Sequence, residues 1–414
     1  MRVKLPVVAM VPREAVVVVI NINRLLQLIV LCVIALQSAV AAVLPDERID
    51  ILYHGYDGGG AEIDGPSILV RKNIGTSVSV SANYYVDMVT SASIDVEATA
   101  SEYSEEREEQ GFSAQYMVDR STMSLGYVHS KENDYDATTY SFGIDQSFFG
   151  DLTTLGFGVS FGDDIVGRNI NGVPDPTFKL DMQRRKYSIN ASQILTKNLL
   201  ASISVDSATD QCIDVAEELS CLSNPYRTIR HIGGALRQAE KYPHTRSSDG
   251  AGLRAIYHLP WRGSVRGEYR TFKDSWGVEA QNYELRYTHV YQDSWIIEGK
   301  VRMYDQKKGA NFYSDLFPFA DPQNFYGRDK ELSPFSSTVI GLGVTYKLPK
   351  GAIPWFEKST VNLFWDHFDI QYDDFRNELL SRTVDGQPGP FAVGNEPMYD
   401  LQADVIRLYL SFWY

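Results

Sequence analysis

The last ten residues, Val405-Ile406-Arg407-Leu408-Tyr409-Leu410-Ser411-Phe412-Trp413-Tyr414, constrain the fold more than any other stretch of the chain. Ile406, Leu408, Leu410, Phe412 and Tyr414 fall at every second position, and side chains two apart share one face of a strand. An apolar stripe running to the final aromatic would leave a soluble domain with an uncovered, aggregation-prone edge. Closing the sheet into a transmembrane barrel removes the edge. The alternative, on this stretch alone, is a buried strand of a secreted β-sandwich.

Composition narrows the choice. Beyond residue 42 no stretch approaches the ~20 consecutive apolar residues that a membrane helix needs, so a membrane-spanning fold here must be a barrel. The 414 residues include 25 Tyr and 31 Gly against 8 Met, a usage that suits strands with aromatic girdles. The net charge of −14 argues against nucleic acid as a partner, because phosphate binding needs a basic surface.

Residues 1–42 read as a cleaved leader: Asn23-Arg24 precede the apolar run Leu25 to Leu36, followed by the small-residue site Ala39-Val40-Ala41. A retained anchor is the alternative. Cys32 lies inside the apolar run behind Leu31, where lipidation would want a small residue. Residues 43–414 are expected to form a single domain.

From Ser77 onward, apolar residues alternate with Ser, Gly, Asn, Gln and Asp. Val78, Val80, Ala82, Tyr84 and Val86 form one face, and the pattern returns at Phe112 to Val118, Met123 to Tyr127, Tyr140 to Ile144, Leu155 to Phe161, Tyr187 to Ala191 and Leu199 to Val205. Short turns are predicted at Asn73 to Thr76, Asp119-Arg120, Phe149 to Leu152, Thr196 to Asn198, Pro260 to Gly263 and Gln292 to Ser294. Long polar loops are predicted at Asp87 to Gln110, Asp163 to Gln183, Asp206 to Thr245, Gln306 to Pro334 and Tyr372 to Leu401. Short turns alternating with long loops are the asymmetry of an outer-membrane barrel, with the short turns periplasmic. Lys131 to Ala137 and Asp274 to Val278 are short for external loops, and Leu348 to Lys358 is long for a periplasmic turn. The expected fold is an all-β, antiparallel, up-and-down transmembrane barrel of about sixteen strands. Ile49 to His54, ahead of Gly58-Gly59-Gly60, supplies the strand that pairs with the C-terminal one.

The second half of the barrel carries charge at inward positions. Arg254 precedes Arg266, Glu268 and Arg270 on one strand, Glu284 and Arg286 on the next, and Glu298, Lys300 and Arg302 on the third. A charge facing mid-bilayer lipid costs ~2–4 kcal/mol, so these residues must face a wet or charge-paired lumen. Cations outnumber carboxylates among them, which favours anions in the lumen. The competing reading is a structural ladder in which each Glu neutralises an Arg across strands.

The terminal stripe resembles the sorting signal that the barrel-insertion machinery of the bacterial outer membrane reads as a final strand. From about Arg48 to Tyr414 the chain also resembles a family of proteobacterial exported proteins known as domain of unknown function 3570. The likeness rests on Gly65-Pro66-Ser67 running into Arg71-Lys72, Asn83-Tyr84-Tyr85-Val86-Asp87 with Ser91-Ala92-Ser93-Ile94-Asp95, and Gly150-Asp151-Leu152-Thr153-Thr154-Leu155. It continues through Leu195-Thr196-Lys197-Asn198-Leu199, Asn311-Phe312-Tyr313-Ser314-Asp315-Leu316-Phe317, Arg328-Asp329-Lys330-Glu331-Leu332-Ser333 and Tyr372-Asp373-Asp374-Phe375-Arg376. The resemblance implies an outer-membrane barrel and supplies no substrate or catalytic residue. The chain departs from it in the N-terminal extension and in the loop holding Cys212 and Cys221.

No haem-attachment, phosphate-loop or zinc-protease motif is present in the sequence, so no cofactor or metal is expected. His129, His289 and His367 fall on the expected lipid face, where an interfacial side chain is the plainer account than a hydrolase triad. The acidic clusters Glu102 to Glu109, Asp134 with Asp136, Asp163-Asp164 and Asp373-Asp374 lack the spacing of a calcium loop and read as a charged rim. The aromatic stretch Phe312 to Tyr326 is expected to fold into the lumen as a constriction. Cys212 and Cys221 lie nine positions apart in the longest loop, in an oxidising compartment, and are expected to pair; two free thiols are the alternative.

The leading functional expectation is a channel for a small polar or anionic solute in the bacterial outer membrane, contacting its lipid and lipopolysaccharide. A non-conducting binding or scaffold barrel for a periplasmic or surface partner, and an interfacial hydrolase, are the alternatives.

Overall fold

A computed structural model of the protein describes residues 44–90, 104–170, 173–216, 219–232, 237–318, 324–383 and 387–414. The expected leader over residues 1–42, with Cys32, lies outside them. Sixteen strands close into one antiparallel barrel. The first nine are β1 (Arg48–Gly58), β2 (Ala61–Ile74), β3 (Val78–Thr90), β4 (Ser104–Val118), β5 (Ser121–Lys131), β6 (Tyr135–Phe148), β7 (Thr153–Ile170), β8 (Val173–Thr196) and β9 (Leu199–Ile213). A small separate sheet pairs β10 (Thr228–Arg230) with β11 (Arg237–Ala239). The barrel resumes with β12 (Thr245–Leu259), β13 (Gly263–Asp274), β14 (Glu279–Tyr291), β15 (Trp295–Lys308), β16 (Phe335–Lys347), β17 (Lys358–Arg376) and β18 (Met398–Trp413).

Closure is made by the terminal stripe. Strand β18 pairs with β17 on one side and β1 on the other, with Phe412 opposite Ile49 and Leu410 opposite Ile51. The β1–β2 hairpin turns on Gly59 and Gly60, at φ +61° and +82°, a conformation open to glycine at little cost. Every strand of the barrel is therefore paired on both edges, and no row of backbone amides is left to recruit another chain.

The outer surface is apolar where a soluble protein's would be polar. Ile406, Leu408, Leu125, Ile189, Leu285, Ile340 and Leu363 point outward and are exposed. A contiguous exposed ring of this kind around a closed barrel matches hydrocarbon, not water. All six predicted short turns sit at one end of the barrel, which we call the turn end, together with Arg48 and Tyr414. The connections at the opposite, loop end include the short 132–134 and 275–278 and the long 214–244, 309–334 and 377–397.

One expectation about loops needs correction. Asp163 to Gln183 is not a loop: β7 and β8 run on as a long hairpin to Ile170 and Val173. Beyond the apolar belt the outward face meets water and turns polar, so the apolar-out pattern that marks a membrane strand disappears. The inward face there becomes apolar instead. Val166, Phe178, Leu180 and Met182 are buried against the segment joined by Cys212 and Cys221, whose Cα atoms lie 5.6 Å apart in a disulfide. Strand β3 likewise extends to Thr90 and β4 begins at Ser104, inside the polar segment Asp87 to Gln110, where the inward face is held by charge instead, Arg107 pairing with Glu109 at 3.0 Å.

The described part of the aromatic stretch Phe312 to Tyr326 packs among the loops. Phe312 packs on Tyr242 and Trp276 at ring separations of 5.2 and 5.3 Å, and Phe317 is fully buried. Backbone amides of Lys241 and Tyr326 donate to each other's carbonyls at 2.9 Å, and Phe317 donates to Arg230 at 2.8 Å. The described part of this stretch belongs to a loop cap at the loop end, its aromatics covered by the other loops.

Candidate functional site in the barrel lumen

All nine charged positions read from the sequence lie on the inward face, and the register explains how they pair. Directly across β13 and β14, Arg266 faces Arg286 and Glu268 faces Glu284. Like charges opposite one another repel, so the side chains turn to partners two residues along, on the diagonal, or, for Glu268, directly opposite on β12. Glu268 accepts from Arg254 at 2.8 Å and from Arg266 at 2.7 Å. Arg286 donates to Glu284 at 3.0 Å and to Glu298 at 2.9 Å. Arg302 donates to the neutral amide oxygen of Asn282 at 2.6 Å.

Three further members escaped the sequence reading. Asp206 on β9 accepts from Arg270 at 2.6 Å, and Asp366 on β17 takes Lys300 at 2.6 Å together with Arg407 of β18. Each of the first two pairs reaches across an intervening strand, and a glycine lies beneath it. A Cβ at Gly341 would sit 2.2 Å from the Asp366 carboxylate and 2.7 Å from Lys300 Cε. A Cβ at Gly250 would come within 2.9 Å of Asp206 and 3.0 Å of Arg270. An inward glycine between strands of opposite charge was the signal available in the sequence. With Asp206, Asp366 and Arg407 counted, seven cations stand against five carboxylates, so the basic excess of this wall falls from three to two.

The ladder continues past β18. His54 on β1 lies 2.7 Å from an Asp87 carboxylate oxygen and 3.1 Å from the Tyr85 hydroxyl, stacked on the Tyr85 ring. The facing staves are different in kind. Ser124, Ser141, Gly143, Gly158, Ser160 and Ser188 border an open space of about 270 Å³ beside Lys186. One wall thus carries mostly short uncharged side chains, with Lys186 and Asp145 as charges among them, and the other carries paired charges.

The other singled-out residues resolve as follows. His367 and Trp365 both meet Asp404 on the outer face, at 3.0 and 2.8 Å; His129 lies 3.2 Å from the Thr138 hydroxyl, and His289 lies 3.3 Å from that of Tyr287. Glu105, Glu132 and Asp134 bring carboxylate oxygens within 4.8 Å of one another at the loop end, with Arg107 3.7 Å from Glu132.

Above the lumen the cap is held by buried charge. Arg328 bridges Asp315 at 2.9 Å and Glu378 at 2.9 Å, with its guanidinium 4.4 Å above the Phe375 ring. Arg230 joins Glu378 at 3.2 Å and also pairs with Glu396, so all three long loops meet in one network. Nearby, burial, reinforced by the Asp329 charge, pushes the Glu240 carboxyl up to about 7. It accepts from the Arg328 amide at 2.6 Å and from the Tyr242 hydroxyl at 2.8 Å.

A carboxyl whose folded pKa is raised contributes stability that is fully present below its ordinary value of 4.5 and is lost as pH rises through about 7. Amide protection of the cap around Glu240, corrected for intrinsic exchange, should accordingly fall between about pH 5 and about pH 8. In Glu240→Gln that fall should flatten. An unchanged pH profile in the variant would remove Glu240 as its source.

The chain is similar to one sequence family and, at low identity, to several solved structures. The family model described as a protein of unknown function, DUF3570, matches residues 96–354, a narrower stretch than the resemblance covers. No curated protein sequence matches the chain significantly. Among solved structures, CdiB from Acinetobacter baumannii matches at TM-score 0.47 and 8% identity, over 90% of this chain and 65% of that one. The chain therefore spans just under two thirds of CdiB. A Pseudomonas aeruginosa FadL homologue matches at TM-score 0.40 and 10% identity over 89% and 90% of the two chains. A bacterial polysaccharide outer membrane secretin matches at 0.46 and 6% over 90% and 100%.

Proposed function

We propose, from the premise that the chain belongs to the DUF3570 family, that it is an outer-membrane channel whose lumen passes small polar solutes with a weak preference for anions. The turn end faces the periplasm and the loop end the cell exterior, where the charged rim meets lipopolysaccharide. The observation that carries the reading is the division of the lumen wall. Short Ser and Gly staves leave space, and the ion-paired staves opposite hold their own charges without needing a ligand. Sixteen strands enclose enough cross-section for an aqueous path. The anion preference is small because Asp206 and Asp366 offset part of the basic wall.

The experiment is a planar-bilayer recording on the purified full-length barrel under a potassium chloride gradient. Discrete conductance steps are expected, with a reversal potential displaced modestly toward that of chloride. Arg266→Glu combined with Arg270→Glu should move it toward that of potassium. A native pore that prefers cations, or a double variant with unchanged preference, sinks the selectivity. Absence of conductance sinks the channel. The second reading, a non-conducting binding or scaffold barrel, is favoured by one feature, the packed cap over the loop end.

A further inference from the structure

The lumen has one wall section that fits neither description above. At the turn end, staves β15 through β18 together with β1 and β2 surround a bay of about 530 Å³. Among the inward Ser67, Ser411, Thr345, Thr360 and Asn362, the bay holds a patch of Leu52, Leu69 and Ile296, with the Tyr409 and Trp413 rings beside them, all five only half-buried. Apolar side chains turned toward the inside of a polar lumen gain by being covered, and a bay of this volume lies in the range of small-molecule sites.

The rim of the bay is cationic. Arg48 is neutralised by Asp50 at 2.8 Å. Lys347 and Lys358 line the same bay, and neither meets a carboxylate among the described residues. Lys358 rests 4.0 Å above the Trp413 ring, which leaves its remaining donors free. This arrangement sits in a chain of net charge −14 and is separate from the paired ladder. A bound inorganic anion would leave the leucines and Ile296 wet, and a neutral apolar molecule would leave two ammonium groups without a counter-charge.

We propose that this bay binds an organic anion with a ring-sized apolar body, an aromatic carboxylate being the fitting class. The carboxylate lies between Lys347 and Lys358, and the body covers Leu52, Leu69 and Ile296. The inference deepens the channel reading by placing a solute site at the periplasmic mouth of the lumen.

The test is an equilibrium titration of the intact, detergent-solubilised barrel with 2-naphthoate, with its neutral amide 2-naphthamide, and with sulfate. Naphthoate should bind about tenfold or more tighter than either. Lys347→Gln with Lys358→Gln should reduce naphthoate to the affinity of the amide, and Leu52→Ser with Leu69→Ser should weaken both organic ligands. Heat-modifiable mobility reports whether each variant is folded; the native comparison among the three ligands decides on its own if a variant is not. Amide equal to carboxylate, sulfate equal to carboxylate, no binding at all, or a folded lysine double variant with native affinity would each overturn the proposal. The titration needs no current, so the two readings fail separately. A conducting barrel without this binding defeats only the site, and a binding barrel that never conducts defeats only the channel.

Discussion

Removing Phe412, Trp413 and Tyr414 is expected to abolish barrel assembly, with no heat-modifiable species and no stable outer-membrane population. The stretch closes the barrel from both sides: Trp413 lies opposite Arg48 and Lys358, and Phe412 opposite Ile49 and Ser359. Its side chains also anchor that seam. The Phe412 ring packs on Phe356 at 4.9 Å, the Tyr414 hydroxyl donates to the Arg71 carbonyl at 2.8 Å, and Lys72 sits 4.8 Å above the Tyr414 ring. Truncation exposes unpaired edges on β1 and β17 in hydrocarbon, where each unsatisfied backbone group costs several kcal/mol. A truncated chain that accumulated in folded form at the normal level would show that closure does not depend on these residues.

The second large effect concerns the cap. Arg328→Ala takes away the cation that joins Asp315 to Glu378, both of them buried. Breaking a buried ion pair by removing one partner costs about 3–5 kcal/mol, because the surviving charge stays desolvated. Arg376 remains on Asp315 at 3.0 Å, and Arg230 and Arg237 remain on Glu378 at 3.2 Å, so the lower end of that range applies. Local opening of residues 309–334 should rise about a hundredfold, seen as faster proteolysis and amide exchange of the loop. The melting of the strands themselves should scarcely move, since among the described residues the ion network meets a barrel strand at Arg376, the last residue of β17. Equal protease resistance in the variant would mean that the cap is held by its apolar clusters, Tyr242 with Trp276 and Phe312 foremost.

Legibility varied along the chain for a physical reason. Within the apolar belt each strand has lipid on one face and a wet lumen on the other, so Leu125, Ile189 and Leu285 mark their strands directly. Past the belt both environments change. The outward face of β7 and β8 meets water, and the inward face meets the disulfide-linked segment, which hides a long hairpin behind Asp163, Asp164 and Asp181. The lumen charges were visible as residues that cannot face lipid. Their partners were not, because Asp206 and Asp366 lie far from Arg270 and Lys300 in the chain and meet them only by reaching over Gly250 and Gly341.

The sequence by itself determined the class of fold, the closing role of its last strand and the sign of each face, because a period of two and the cost of charge in hydrocarbon are local facts. Only the tertiary structure decided which charges neutralise one another, that three loops share one buried network through Arg230, Arg328 and Glu378, and that Leu52, Leu69, Ile296, Lys347 and Lys358 border a single bay. Those outcomes depend on strand register and on the curvature that brings β15 round to β2. Neither is encoded in any one stretch of the chain.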